Sequence, residues 1–138
     1  MKTFTLAAIT TLLSIISALP TAIPTNNTTN QTTTTGDVLI CTGANYASTC
    51  ETLHVPFNKC VLLEEPFAKN VGSIKPASGQ FCRITYTAPT CTNHGDAFID
   101  PTPGVADLHH FNDPATGTVM DAGSQITSLL CQKCSSCV

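Results

Sequence analysis

Charged residues are scarce in this sequence: lysine, arginine, aspartate and glutamate make up 11% of its 138 residues, against about 25% in an average soluble domain. The six basic residues, among them Arg83, are dispersed along the chain, and the formal net charge is −3. Nucleic-acid binding is therefore not expected. Tryptophan is absent and aromatic residues make up only 6%, which excludes a large aromatic core.

The sequence motifs that indicate catalysis are also missing. There is no His-Glu-x-x-His segment, no Gly-x-Ser-x-Gly segment and no glycine-rich phosphate loop. Ser78 lies in a Pro-Ala-Ser-Gly segment that is typical of a hairpin turn. A glycosidase needs two carboxylates across a sugar bond, whereas Glu64 and Glu65 are adjacent and Glu51 stands alone. We therefore expect neither an enzyme nor a bound cofactor.

Residues 1–18 have the pattern of a secretory signal. Lys2 precedes an apolar run from residue 4 to residue 18, and the run ends in the small residues Ser17 and Ala18. It is shorter than the ~20 residues that cross a bilayer, although an N-terminal anchor helix is the alternative. We therefore expect a secreted, extracellular protein that passes through an oxidising compartment.

Eight cysteines are present, and an even number in a secreted chain predicts four disulfides. The pairing cannot be read from the sequence. Cys131, Cys134 and Cys137 have the three-residue spacing of a zinc site, and His109 or His110 would supply the fourth ligand. A zinc site requires reduced thiols, and we therefore favour disulfides. The cysteines are Cys41, Cys50, Cys60, Cys82, Cys91, Cys131, Cys134 and Cys137.

Residues 19–36 are rich in threonine and asparagine and are predicted to be a disordered linker. The segment contains the N-glycosylation acceptors Asn26, Asn27 and Asn30, and the chain has no others. An unmodified spacer or a removed pro-segment is the alternative. All cysteines follow the linker, so residues 37–138 are predicted to be one disulfide-rich β domain.

Short apolar runs that alternate with glycine and proline turns predict about eight strands and an all-β domain. The runs are at 38–40, 53–55, 61–63, 71–74, 81–86, 97–99, 105–108 and 126–130. The pattern is repeated: two cysteine pairs nine positions apart each enclose a tyrosine, and each half later contains a serine in an apolar stretch. The repeated residues are Cys41, Tyr46, Cys50 and Ser73 in one half, and Cys82, Tyr86, Cys91 and Ser128 in the other.

The two halves resemble the βγ-crystallin-like Greek-key group, particularly small secreted fungal proteins that include killer-toxin-like members. The resemblance depends on the repeat itself, on Val71-Gly72-Ser73-Ile74-Lys75 and on the segment 125–131. The resemblance covers residues 37–131. It implies two Greek-key four-stranded units packed as a disulfide-linked sandwich.

Many members of that group bind Ca²⁺ through the motif [ND]-[ND]-x-x-[ST]-S. The corresponding segments here, 68–73 and 123–128, have no carboxylate at the two leading positions, and Lys69 would repel the ion. Shifting the first segment by one residue gains Asn70 but replaces the final serine with Ile74. We therefore expect no calcium binding and a structural role for Ser73 and Ser128.

A second candidate for metal chemistry is the adjacent pair His109 and His110. Adjacent histidines in a strand point to opposite faces and do not readily hold one ion. We therefore favour a solvated acidic loop over a metal-dependent hydrolase. The neighbouring ionisable residues considered as ligands or bases are His94, Asp96, Asp107 and Asp113.

The compartment, the small size and the disulfide density favour a non-enzymatic effector or toxin that acts on a host or competing organism. The alternatives are an extracellular protease inhibitor or binding module that presents the loop 93–112, and a glycosylated wall or matrix protein. No apolar tail follows Cys137, so no stable membrane anchor is expected. We expect a monomer whose partner is an unknown protein or surface of the host or competitor.

Overall fold

A computed structural model describes residues 34–137 of the chain. The predicted signal at 1–18, the acceptors Asn26, Asn27 and Asn30, and most of the linker lie outside the described residues. The first strand begins at Thr35, two residues before the expected start of the domain at Asp37.

Within residues 34–137 the structure has nine short strands and one 3₁₀ turn. In chain order they are β1 (Thr35–Cys41), the turn (Ala44–Tyr46), β2 (Cys50–Pro56), β3 (Cys60–Leu62), β4 (Ser73–Pro76), β5 (Gln80–Thr85), β6 (Ala97–Ile99), β7 (Phe111–Asn112), β8 (Val119–Met120) and β9 (Ser128–Lys133). Seven of the eight predicted apolar runs overlap a strand.

The prediction of a strand at 105–108 is wrong, because only Val105 forms a bridge there, to Ile74. Pro101 and Pro103 precede this run, and proline cannot donate to a strand ladder. The strands β7 and β8 were not predicted, since two-residue strands are too short to show alternation.

The described strands form two main antiparallel sheets and a small ribbon. Sheet A has the order β2-β1-β4, sheet B has the order β3-β9-β5-β6, and β7 pairs with β8. Fully buried side chains from both sheets, including Ile40 and Ile74 of sheet A and Ile84 and Leu129 of sheet B, belong to one hydrophobic core. Burial of these side chains in a shared core holds the two sheets together.

The two halves of the chain exchange strands. In the first half β1 lies between β2 and β4, and in the second half β5 lies between β6 and β9. The remaining strand of the first half, β3, pairs with β9 of the second half, while Val105 of the second half bridges to Ile74 of the first. This arrangement confirms the prediction of an all-β sandwich of two Greek-key units.

All eight cysteines lie in the described part of the chain and are paired. Two disulfides join neighbouring strands, Cys41 to Cys50 and Cys82 to Cys131. The other two are Cys60–Cys91, which fastens β3 to the loop after β5, and Cys134–Cys137, which closes the C-terminal tail.

The pairing does not follow the nine-residue repeat of the sequence. Cys41 lies directly opposite Cys50 because β2 begins at that cysteine. In the second half, β6 begins only at Ala97, and Cys82 therefore faces Ile99 on one side and Cys131 on the other. Cys91 remains in the preceding loop, where it reaches Cys60. Strand register thus determines which cysteines meet.

Candidate functional site

Ser73, the last residue of the first candidate calcium segment, is fully buried and bonded within the fold. Its hydroxyl donates to the carbonyl oxygen of Gly43 (2.7 Å) and accepts a hydrogen bond from the backbone N–H of Tyr46 (3.0 Å). It therefore fixes the turn between β1 and β2. In the second segment Ser128 is also buried, and the hydroxyl of Thr127 donates to the carbonyl of Ala88 at 2.6 Å.

The two candidate segments lie against each other. The backbone N–H of Lys69 donates to the carbonyl of Ile126 (2.9 Å), and that of Val71 donates to the carbonyl of Gly123 (3.1 Å). The side chain of Lys69 is exposed. Within residues 34–137 no group of three histidine, cysteine, aspartate or glutamate side chains is placed to hold a metal ion.

Calcium is expected to leave the stability of the domain unchanged. A ligand that binds only the folded state raises the melting temperature by mass action, and both segments lack carboxylates at their leading positions. Calorimetry of the purified protein with excess Ca²⁺ and with a chelator should give the same melting temperature. A rise of many degrees with Ca²⁺ would show that carbonyl and hydroxyl oxygens complete a site.

The histidine pair lies in a turn, and its two rings bind different carboxylates. His109 Nδ1 is 2.8 Å from Asp121 Oδ1, and His110 Nδ1 is 2.9 Å from Asp107 Oδ2. Asp107 also accepts the backbone N–H groups of both histidines. The hydrogen bond from His110 lowers the pKa of Asp107 below its usual value. The pair therefore fastens a surface turn and does not form a joint metal site.

Asp113 and Asp96 are likewise used by their own loops. The buried carboxylate of Asp113 accepts hydrogen bonds from the backbone of Ala115 (3.0 Å) and the hydroxyls of Thr116 (2.8 Å) and Tyr86 (3.0 Å). The N–H of Ala115 is the main cause of a lowered pKa at Asp113. Burial, with a further effect of Asp113, raises the pKa of Tyr86.

Asp96 caps the end of β5, where it accepts the N–H groups of Tyr86 (2.6 Å) and Thr87 (2.8 Å). His94 is exposed. The ionisable residues that the sequence offered for a metal-dependent hydrolase are therefore not brought together at one centre. The zinc alternative for the C-terminal cysteines does not fit either, because Cys131 is bonded to Cys82 and Cys134 to Cys137.

The melting temperature is expected to fall as the pH drops below about 4, the ordinary aspartate pKa. The pKa values of Asp107 and Asp113 are lowered in the folded state. The contribution of these two carboxylates to the free energy of unfolding is therefore complete above the unfolded-state pKa. It is lost as the pH falls through the lower pKa values of the folded state. Thermal denaturation of the wild type and Asp113→Asn across this range measures the effect, and Asp100→Asn is the control. A melting temperature of the wild type that stays constant in acid would contradict the expectation.

The three glutamates of the chain, Glu51, Glu64 and Glu65, line one groove of about 350 Å³. Glu51 stands alone in the sequence, but the turn at residues 57–59 leads the chain from β2 in sheet A to β3 in sheet B and brings Glu64 and Glu65 to the same groove. The other lining residues are Leu53, His54, Val55, Val61, Leu62, Leu63 and Phe67. The sequence does not reveal this proximity, because it depends on how the edge strands of the two sheets lie beside each other.

The groove lies where the sandwich is open between its two sheets. Glu51 pairs in register with Ile40, and Leu53 pairs with Val38. Paired residues of neighbouring strands lie on the same face of a sheet, and both Ile40 and Val38 are fully buried. Glu51 and Leu53 are therefore on the core-facing side of β2, yet Glu51 is exposed and Leu53 is only half-buried.

The predicted loop 93–112 is not one loop, because it contains β6 of sheet B and β7, and only its middle part is held against sheet A. The hydroxyl of Tyr46 donates to the carbonyl of Pro103 (2.9 Å), and the backbone of Val105 bonds that of Ile74 in both directions. These contacts fix the segment around Pro103 to the fold. This fixation is what the protease-inhibitor alternative requires of a presented loop.

In comparisons with known proteins, no family model and no curated protein matches the sequence. Among solved structures, the chain is similar to a βγ-crystallin domain of Abundant Perithecial Protein from Neurospora crassa, determined in the Ca²⁺-bound form. The TM-score is 0.48 and the identity is 11%, over 73% of this chain and 92% of that chain. We assign no ligand and no activity to this chain from that similarity.

The strand arrangement and the cysteine pairing define the class of the domain: it is a small, cysteine-rich Greek-key domain with four disulfides. No helix among the described residues is long and apolar enough to span a membrane.

Proposed function

We propose that this protein is a secreted, non-enzymatic binding protein that acts as an effector or toxin on a host or competing organism. The proposal rests on a difference between the aspartates and the glutamates of the described residues. Asp96, Asp107, Asp113 and Asp121 all bind groups of the fold, whereas the three glutamates line an open groove. The groove therefore offers binding groups that the fold itself does not use.

The extracellular location is supported by the signal-like pattern at 1–18 and by four disulfides that reach both sheets and the tail. Disulfides persist in oxidising compartments. They also suppress the local opening that proteases need, because they constrain the unfolded chain. A glycosylated linker at 19–36 would extend this protection, and it is part of the same proposal.

A protease inhibitor is the second candidate, because Tyr46 and Ile74 fix the segment around Pro103. A fixed loop costs little ordering entropy when a protease binds it. The wall or matrix role depends on the threonine-rich segment, most of which lies outside the described residues.

The test is to apply the purified, oxidised protein to host tissue and to competitor cells. We expect dose-dependent damage or growth arrest from the oxidised protein, and none from the same protein after reduction and alkylation. Inhibition of a panel of extracellular proteases without damage would favour the inhibitor. Retention in the wall fraction of the producing cell without either effect would favour the matrix role.

A further inference from the structure

We propose that the groove between β2 and β3 binds an extended peptide segment that carries basic and apolar side chains on the same face. The inference deepens the proposed function and rests on it for the biological partner, which would be a protein that exposes such a segment. The proposal depends on three features of the described residues: unpaired strand edges, an apolar opening into the core, and carboxylates without partners.

The groove is bordered by strands that are each paired on one side only. Within residues 34–137, β2 pairs with β1 alone and β3 pairs with β9 alone. A strand at the edge of a sheet has backbone N–H and C=O groups that are free to bind another extended chain. An extended peptide can therefore add to β2 by main-chain hydrogen bonds.

The opening of the sandwich provides apolar contacts for such a peptide. Val61 of β3 pairs in register with the fully buried Leu129 but is only half-buried, and Leu53 on the core-facing side of β2 is also half-buried. Below them, Val55, Leu63 and Phe67 are buried in the core. An apolar peptide side chain placed between β2 and β3 would cover Leu53 and Val61, and this burial favours binding.

The charge of the groove selects a basic peptide. Glu51, Glu64 and Glu65 are exposed, and in the described part of the chain none of them has an ion pair or a side-chain hydrogen bond. The nearby His54 is bonded to Asp37 at 2.7 Å. Alternate residues of an extended chain lie about 7 Å apart on one face, so a single peptide can bring lysine or arginine to more than one glutamate.

The probe is a fluorescent, end-blocked peptide of about eight residues, a typical strand length, in which lysine and leucine take turns at every second position and threonine fills the positions between them. One control peptide has glutamate in place of lysine, and a second has proline in place of threonine, which removes backbone donors and keeps the lysine and leucine side chains. We expect saturable binding of the lysine peptide, at least tenfold tighter than either control. Amide shifts in β2 and β3, measured by NMR, should identify the groove as the site.

Matched variants separate the groove from general charge attraction. Glu51→Gln should weaken binding about two- to fourfold, as expected for one exposed ion pair, and the triple glutamine variant about tenfold. Asp100→Asn changes the net charge by the same amount as Glu51→Gln, at another exposed carboxylate that has no ion pair within residues 34–137, and it should leave binding unchanged.

Equal effects of Glu51→Gln and Asp100→Asn, full binding by the triple variant, or amide shifts outside β2 and β3 would overturn the inference. Aggregation of the triple variant without any peptide binding by the wild type would also overturn it, because the glutamates would then serve only to protect strand edges. The titration uses no cells. A negative tissue assay would therefore count against the effector role alone, and a negative titration against the groove alone.

Discussion

Replacing both Cys82 and Cys131 with alanine is expected to lower the free energy of unfolding by roughly 4 kcal/mol, as the chain-entropy account gives for a loop of this length. The bond connects positions 49 residues apart in sequence, and both cysteines are fully buried opposite each other on β5 and β9. Since the total stability of a small domain is about 5–15 kcal/mol, this single loss should bring the variant close to unfolding at body temperature.

The control is the double replacement of Cys134 and Cys137 by serine. That bond closes a separation of only 3 residues near the end of the chain, and the same account gives less than about 2 kcal/mol for it. Urea denaturation of both variants measures the difference. Equal losses would contradict the view that the bond between β5 and β9 stabilises the core of the domain.

Gly72→Ala is expected to cost about 3 kcal/mol or more, the upper range for overpacking at a buried position. A Cβ at this position would lie 2.2 Å from the carbonyl carbon of Gly43 and 2.6 Å from the backbone nitrogen of Ala44. Both are backbone atoms that no rotamer change can move. The position is also fixed on both sides, because its N–H donates to Cys41 and its carbonyl accepts from Leu108, each at 2.8 Å.

Gly117→Ala is the matched control. A Cβ at Gly117 has no atom within 4 Å, but the residue has a φ of 69°, which costs an alanine about 1 kcal/mol. Thermal denaturation should therefore rank wild type above Gly117→Ala, and Gly117→Ala well above Gly72→Ala. The reverse order would show that the turn between β1 and β2 does not pack against the segment before β4.

The fold could be predicted to a large extent because its strands carry local signals. Alternation in the run 81–86 places Cys82, Ile84 and Tyr86 on one face, and all three are buried. The partners of those strands could not be predicted, because pairing depends on contacts between distant segments. Thus β3 joins the sheet of the other half, and the repeat of cysteine spacings does not reveal that Cys82 faces Cys131.

The candidate site was missed for the same reason. Nothing local to Glu51 shows that the turn from β2 to β3 brings Glu64 to the same groove, or that the core-facing side of β2 remains open. The loop aspartates, in contrast, follow short-range patterns. Asp107 bonds the backbone of His109 two residues later, and Asp121 bonds that of Ser124 three residues later, as aspartate commonly does in turns.

The two Greek-key units are interleaved, with β3 of the first unit fastened into the sheet of the second. Disulfide mapping of the unreduced, secreted protein by proteolysis and mass spectrometry tests this arrangement most directly. We expect peptides that link Cys41 to Cys50, Cys60 to Cys91, Cys82 to Cys131 and Cys134 to Cys137. A peptide that links Cys82 to Cys91, in parallel with Cys41 and Cys50, would contradict it, because Cys60 could then not be fastened to the loop after β5.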